Sequence, residues 1–221
     1  MALWRITVAY DGTDFAGWQA QGERVAARTV QATLEAALER LSGGPRVVVA
    51  GAGRTDTGVH ALGQVASFSL EKEVAPADLQ RALNAILPRD VRVLEAAPAP
   101  EGFHARKSAL SKLYRYQLDT GPVQIPTRRR VAGHVPWRLD EPAVRLAAEL
   151  FRGRHDFASL ASAGSSVRTT VRTVLQSEVW FAGATTASGP DPSRTLSRPR
   201  ARSAPSRVAR AGSISTRAHC T

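Results

Sequence analysis

The chain has 221 residues, 43% of them hydrophobic, enough for one large domain or two small ones around a substantial core. No run of eighteen apolar residues occurs, so no membrane-spanning helix is expected, and one cysteine, Cys220, rules out an internal disulfide. The net charge of +11 favours a polyanionic partner such as nucleic acid, but +6 of it falls after residue 180, which leaves +5 for the body of the chain.

The first ten residues, interrupted by Arg5, are too short for a signal peptide, and a cytoplasmic protein is expected. Residues 3–10 read as a strand, with Ile6 and Val8 on one face and Thr7 and Ala9 on the other. Asp11-Gly12 marks a turn. Thr29 is placed to cap a helix running to about Leu41, with Val30, Leu34, Leu38 and Leu41 in one stripe and Gly43-Gly44 as its stop. The β-branched run 46–50 reads as a buried strand. A glycine-rich loop follows over 51–58, then a strand over 64–70. A second helix is expected over 77–87, closed by Pro88, and further strands over 90–96 and 112–118. A third helix begins near Asp140, with Pro142 in its first turn, and runs to about Phe151. Residues 171–181 form the last expected strand. The alternation lacks the long parallel crossovers of a doubly wound sheet. It implies an α+β fold in which an antiparallel (mixed) sheet is flanked by helices.

After Phe181 the composition changes to Arg, Ser, Pro, Ala and Gly, with prolines at 190, 192, 199 and 205. Such a segment has too little apolar surface to offset its ordering entropy, so residues 182–221 are expected to form a disordered basic tail. Its readings are an RNA-binding arm, a solvated tail or a stretch translated out of frame. The chain holds 27 Arg and 3 Lys, as a GC-rich gene gives, and a shifted frame of such a gene yields this mixture.

The stretch richest in chemistry is Gly51-Ala52-Gly53-Arg54-Thr55-Asp56-Thr57-Gly58-Val59-His60-Ala61, between two expected strands. A phosphate-binding loop does not fit, because no Lys-Ser/Thr pair follows the glycines. Asp56-Thr57-Gly58 suggests an aspartic protease. That chemistry needs a second carboxylate, which this chain supplies only as a homodimer. The third reading is a nucleophilic carboxylate kept ionised by a nearby arginine, Asp56 with Arg54.

Gly53 to Ala61, followed by Gly63-Gln64-Val65, resembles the catalytic loop of the TruA family of tRNA pseudouridine synthases. Further resemblances follow in the family's order. They are Tyr10-Asp11-Gly12-Thr13 with Phe15-Ala16-Gly17-Trp18-Gln19, Thr29-Val30-Gln31, Phe103-His104-Ala105-Arg106, Tyr114-Arg115-Tyr116 and Gly153-Arg154-His155-Asp156-Phe157. Together they extend from about residue 3 to 180.

The resemblance implies an isomerase that converts uridine to pseudouridine at positions 38 to 40 of the tRNA anticodon stem-loop, without metal or organic cofactor. It implies Asp56 as nucleophile, paired with Arg54, which also fills the gap left by a flipped base. Tyr114 corresponds to the tyrosine that stacks on the target base, with Tyr116 as a core neighbour. Arg106 and Lys112 are candidate phosphate contacts. His60 is a candidate RNA contact or a residue that shapes the loop. His104 and His155 are expected to be structural, and the dispersed tryptophans mostly core. The implied fold has two similar halves around a central cleft, here 1–104 and 105–181, and acts as a homodimer with tRNA as partner. The family continues with an Asn-Ala/Gly-Phe-Leu-type run and a Met-Val-Arg motif that brings a second arginine to the aspartate. Neither follows Trp180-Phe181 here, so the second half is expected to be incomplete. The alternative function is accordingly an inactive tRNA-binding fragment.

Overall fold

The computed structural model describes residues 1–20, 27–161 and 169–182, together with the backbone of residues 212–220. It divides into two compact units, Met1–Ala109 and Leu110–Thr221.

In the first unit, β1 (Ala2–Tyr10) alternates strictly, burying Trp4, Ile6, Val8 and Tyr10 on one face. It lies between β3 (Ala61–Leu70) and β4 (Val91–Pro98), antiparallel to both, and β3 carries the two-residue β2 (Ala50–Gly51) on its outer side. Helices α1 (Val30–Ser42) and α2 (Pro76–Ile86) supply Val30, Leu34, Leu38, Leu79 and Leu83 to the same core. Thr29 caps α1 as expected, its hydroxyl accepting from the Ala32 N–H, and Gly43 ends the helix in the left-handed region at φ 63°.

The expected strand over 46–50 shrinks to β2. Its backbone is claimed by a side chain instead of a ladder. The Glu35 carboxylate, 4% exposed on α1, accepts from the Val49 N–H at 3.1 Å and from both Nε and a terminal nitrogen of Arg46. Val48 then faces solvent.

The second unit is a five-stranded mixed sheet ordered β6-β5-β9-β8-β7. Its strands are β5 (Lys112–Thr120), β6 (Gly133–Val135), β7 (Gly153–Asp156), β8 (Val171–Ala182) and β9 (Gly212–Cys220). Only the β5–β6 pair is parallel. Helix α3 (Glu141–Leu150), capped by the Asp140 carboxylate on the Ala143 N–H, packs on β8, where Arg145 donates to the Val179 carbonyl and sits 4.7 Å over the Phe181 ring. Asp119 is buried under a two-oxygen contact from Arg128 Nε.

The expectation of a structureless tail over 182–221 is corrected at its far end. Residues 212–220 pair along their whole length with β5 and with β8 from Val174 to Ala182. The stabilisation comes from main-chain hydrogen bonding on both sides, a source that composition does not report. Residues 183–211, where the rest of that expectation falls, lie outside the described residues.

Candidate active site

The loop after β2 is clamped between the end of β1 and the turn that follows it. Gln64 of β3 donates to the Gly53 carbonyl at 2.8 Å. The Thr55 hydroxyl lies 3.0 Å from the Tyr10 hydroxyl, and the Thr55 carbonyl accepts from the Trp18 N–H at 2.9 Å. Beyond Asp56, the Gly58 N–H donates to Phe15 and the Val59 N–H to the Asp56 carbonyl. The turn in its own right is stapled to α1, whose Val30 and Gln31 N–H groups donate to the Gly17 and Trp18 carbonyls. Close approach dictates the glycines here. A Cβ on Gly12 would lie 1.9 Å from the Val59 carbonyl oxygen, and one on Gly17, already at φ 93°, 2.4 Å from that of Thr55.

Exposure alternates along the loop. Thr55 is half-buried, and Arg54 and Asp56 on either side are exposed. The expected Arg54–Asp56 ion pair is not formed. Among the described residues neither side chain has a salt-bridge partner. Both groups are left exposed on the loop, two positions apart, a carboxylate and a guanidinium open to a ligand.

His60 sits at the loop's far end, its Nδ1 3.2 Å from the Gly12 N–H and 3.1 Å from an Asp11 carboxylate oxygen. A neutral ring with a bare Nδ1 accepts from Gly12, and a protonated one pairs with Asp11. Either way His60 ties the loop to the turn. Asp11 is also engaged by the Thr13 N–H and hydroxyl. Arg28 grips Asp90 with two hydrogen bonds, which hold the Asp90 carboxyl below the usual carboxylate range, and stacks 4.0 Å over Phe15.

Beside the loop lies a cavity of about 210 Å³, whose lining includes Trp18, Gln19, Gln31, Arg54, His104 and Arg106. Among the described residues the lining has two guanidiniums and no carboxylate, so it suits an anion. Arg106 is thus brought to the same side as Arg54. His104, expected to be structural, also reaches this lining, with Nδ1 accepting from the Arg106 N–H. The adjacent Ala105 N–H is bound to the buried Ser67 hydroxyl of β3. Gln31 was not foreseen. Its carbonyl accepts from the Gln19 amide and the Ala20 N–H, while its amide donates to Glu35 and to the Val49 carbonyl. The sequence carried a signal for it: Gln31 and Glu35 occupy the apolar stripe of α1 beside Leu34 and Leu38, where only paired polar groups are tolerated.

Tyr114 belongs to the second unit, on β5, and is 45% exposed. Tyr116, expected in the core, is 64% exposed. It occupies the same side of the strand as Tyr114, and α3 covers β8 instead. His155 Nε2 lies 2.8 Å from the Arg152 carbonyl. Among the described residues no three His, Cys, Asp or Glu side chains converge as a metal would require.

Residues 6–106, which contain the whole loop, match the family model described as tRNA pseudouridine synthase. The tRNA pseudouridine synthase A of Latilactobacillus sakei subsp. sakei is 44% identical over 178 residues, 80% of this chain and 70% of that protein. That of Solidesulfovibrio magneticus is 46% identical over 204 residues, covering 86% and 68% respectively. The chain belongs to the tRNA pseudouridine synthase A family. Within this family of isomerases, the matched span takes in Asp56, Arg54, His60 and Arg106, and Tyr114 lies just beyond it. The synthase of Syntrophotalea carbinolica, 42% identical over 81% of this chain, gives the same extent.

Proposed function

We propose that the protein isomerises uridine to pseudouridine at positions 38 to 40 of the tRNA anticodon stem-loop, with Asp56 as nucleophile. The observation that carries this reading is the loop itself. Its backbone is fastened before and after Asp56, yet the Asp56 carboxylate is exposed and has no protein partner among the described residues. A rigidly mounted, unengaged carboxylate is what covalent work on a bound nucleotide needs.

The isomerisation balances without an oxidant or a cofactor. The bond from the ribose C1′ to uracil N1 breaks, a bond from C1′ to C5 forms, C5 loses its proton and N1 regains one. The reacting base must leave the stem to meet Asp56, which requires a group to occupy its place and groups to hold the strand. Arg54 fills the vacated space and Arg106 contacts backbone phosphate; that both guanidiniums line one cavity supports RNA contact there by the pair. Tyr114 offers the aromatic face on which uracil stacks. The protein acts in the cytoplasm as a homodimer. The exposed Leu146 and Leu150 on α3 have the character of an interface surface.

Mapping by carbodiimide adducts and reverse-transcription stops on a treated, unmodified tRNA transcript tests the reading. Stops are expected at one or more of positions 38, 39 and 40. Stops confined to other positions would overturn the assigned region. The alternative is a binding fragment without activity. It is favoured by one observation: some 30% of the Latilactobacillus protein has no counterpart in the aligned part of this chain. Shifted tRNA in a binding assay with no adduct at any position would select it.

A further inference from the structure

The residue before Asp56 and the residue before Arg54 are each held by a side chain of the sheet. Gln64 on β3 donates to the Gly53 carbonyl, and Tyr10, the last residue of β1, meets the Thr55 hydroxyl. Tyr10 and Gln64 stand on the adjacent, antiparallel strands β1 and β3, so both grips come from one piece of sheet. Tyr10 is only 4% exposed, and its ring lies 6.2 Å from that of Trp18, whose N–H holds the Thr55 carbonyl. Thr55 is therefore fixed through both its main chain and its side chain. Burial pushes the Tyr10 hydroxyl's pKa up, so the hydroxyl stays neutral. The strand register between β1 and β3 shifts between Val8 and Tyr10, next to this contact.

We propose that Tyr10 and Gln64 are positioning residues, which through Thr55 and Gly53 aim Arg54 and Asp56 at the target nucleotide. The proposal rests on the reading of Asp56 as nucleophile. Asp56 has no side-chain partner of its own among the described residues, so its direction is inherited from its neighbours. Removing the Tyr10 hydroxyl leaves the ring and its packing in place. What changes is the freedom of the loop, and a displacement near 1 Å at a reacting group costs up to about a hundredfold in rate.

The test compares Tyr10→Phe, Thr55→Val, Thr55→Ser and the Tyr10→Phe/Thr55→Val double variant in the full chain. Single-turnover isomerisation and tRNA Kd are measured separately. The expected result is a rate lower by about tenfold to a hundredfold in Tyr10→Phe and Thr55→Val with Kd unchanged. Thr55→Ser, which keeps the hydroxyl, should hold the wild-type rate, and the double variant should be no slower than the slower single. An unchanged rate in Tyr10→Phe, equal loss in Thr55→Ser and Thr55→Val, or additive losses would overturn the proposal. Hydrogen exchange over residues 52–60 decides the same point without catalysis: faster exchange in Tyr10→Phe and Thr55→Val but not in Thr55→Ser supports the grip, and uniform exchange overturns it. Wild-type protein that fails to isomerise would sink the functional reading alone.

Discussion

At the scale of single residues, the site is a matter of close approach and of which polar groups are already satisfied. Gly12 abuts the Val59 carbonyl, so Gly12→Ala must push the loop away from the turn. Overpacking of this kind costs about 1–3 kcal/mol. A lowered urea midpoint together with lost isomerisation is expected, and a variant with both at wild-type values would show that the loop yields freely. The Arg28–Asp90 pair gives a prediction with a defined sign. Asp90 has its carboxyl pKa lowered in the folded state by Arg28, so its contribution is present above the unfolded value of about 4 and is lost as pH falls through the folded one. Asp90→Asn should be less stable than wild type at pH 7, by about 1 kcal/mol or less for so solvated a pair, and the gap should close on acidification. Urea melts at pH 7 and pH 3 check this. A gap that stayed constant would mean that the ion pair is not its source.

At the scale of elements, α1 joins the core to the site. Its N-terminal N–H groups are taken by Thr29, Gly17 and Trp18, and its buried Gln31 and Glu35 hold the segment that leads into the loop. Thr29→Ala should lower stability by about 1 kcal/mol in denaturant titration. Glu35→Ala orphans the Val49 N–H and one Gln31 donor, at about 1–3 kcal/mol each, so the larger loss is expected there. Equal losses in the two variants would place the weight on the cap alone. All three helices were legible in the sequence, because stripes such as Val30, Leu34 and Leu38 repeat at helical spacing between a cap and a stop. So were β1, β3, β4, β5 and β8, each eight residues or longer and bounded by turn residues or helices. The short β6 and β7 were not, since three or four residues carry no period. Residues 46–49 were misread because their valines have strand propensity, whereas the backbone answers to a carboxylate fifteen residues or fewer away in sequence. The loop was legible as chemistry. That Arg54 and Asp56 stay apart was not, because sequence spacing does not say which way two exposed side chains lean.

At the scale of the molecule, β9 is the element on which the second unit turns. It lies between β5 and β8 and pairs with both, so without it each would present an open edge. Deleting residues 212–221 should make the second unit sensitive to limited proteolysis or prone to associate through those edges. The first unit has its own core and four-stranded sheet and should retain its protection. A truncated chain with wild-type protection throughout would show β9 to be dispensable. The central claim is that the unengaged carboxylate of Asp56 carries out the isomerisation. The direct measurement is tritium release from tRNA transcript labelled at uridine C5, where the new glycosidic bond displaces the label. The wild-type chain is predicted to release tritium and Asp56→Ala to release none while still binding tRNA. Release by Asp56→Ala at the wild-type rate would contradict the account.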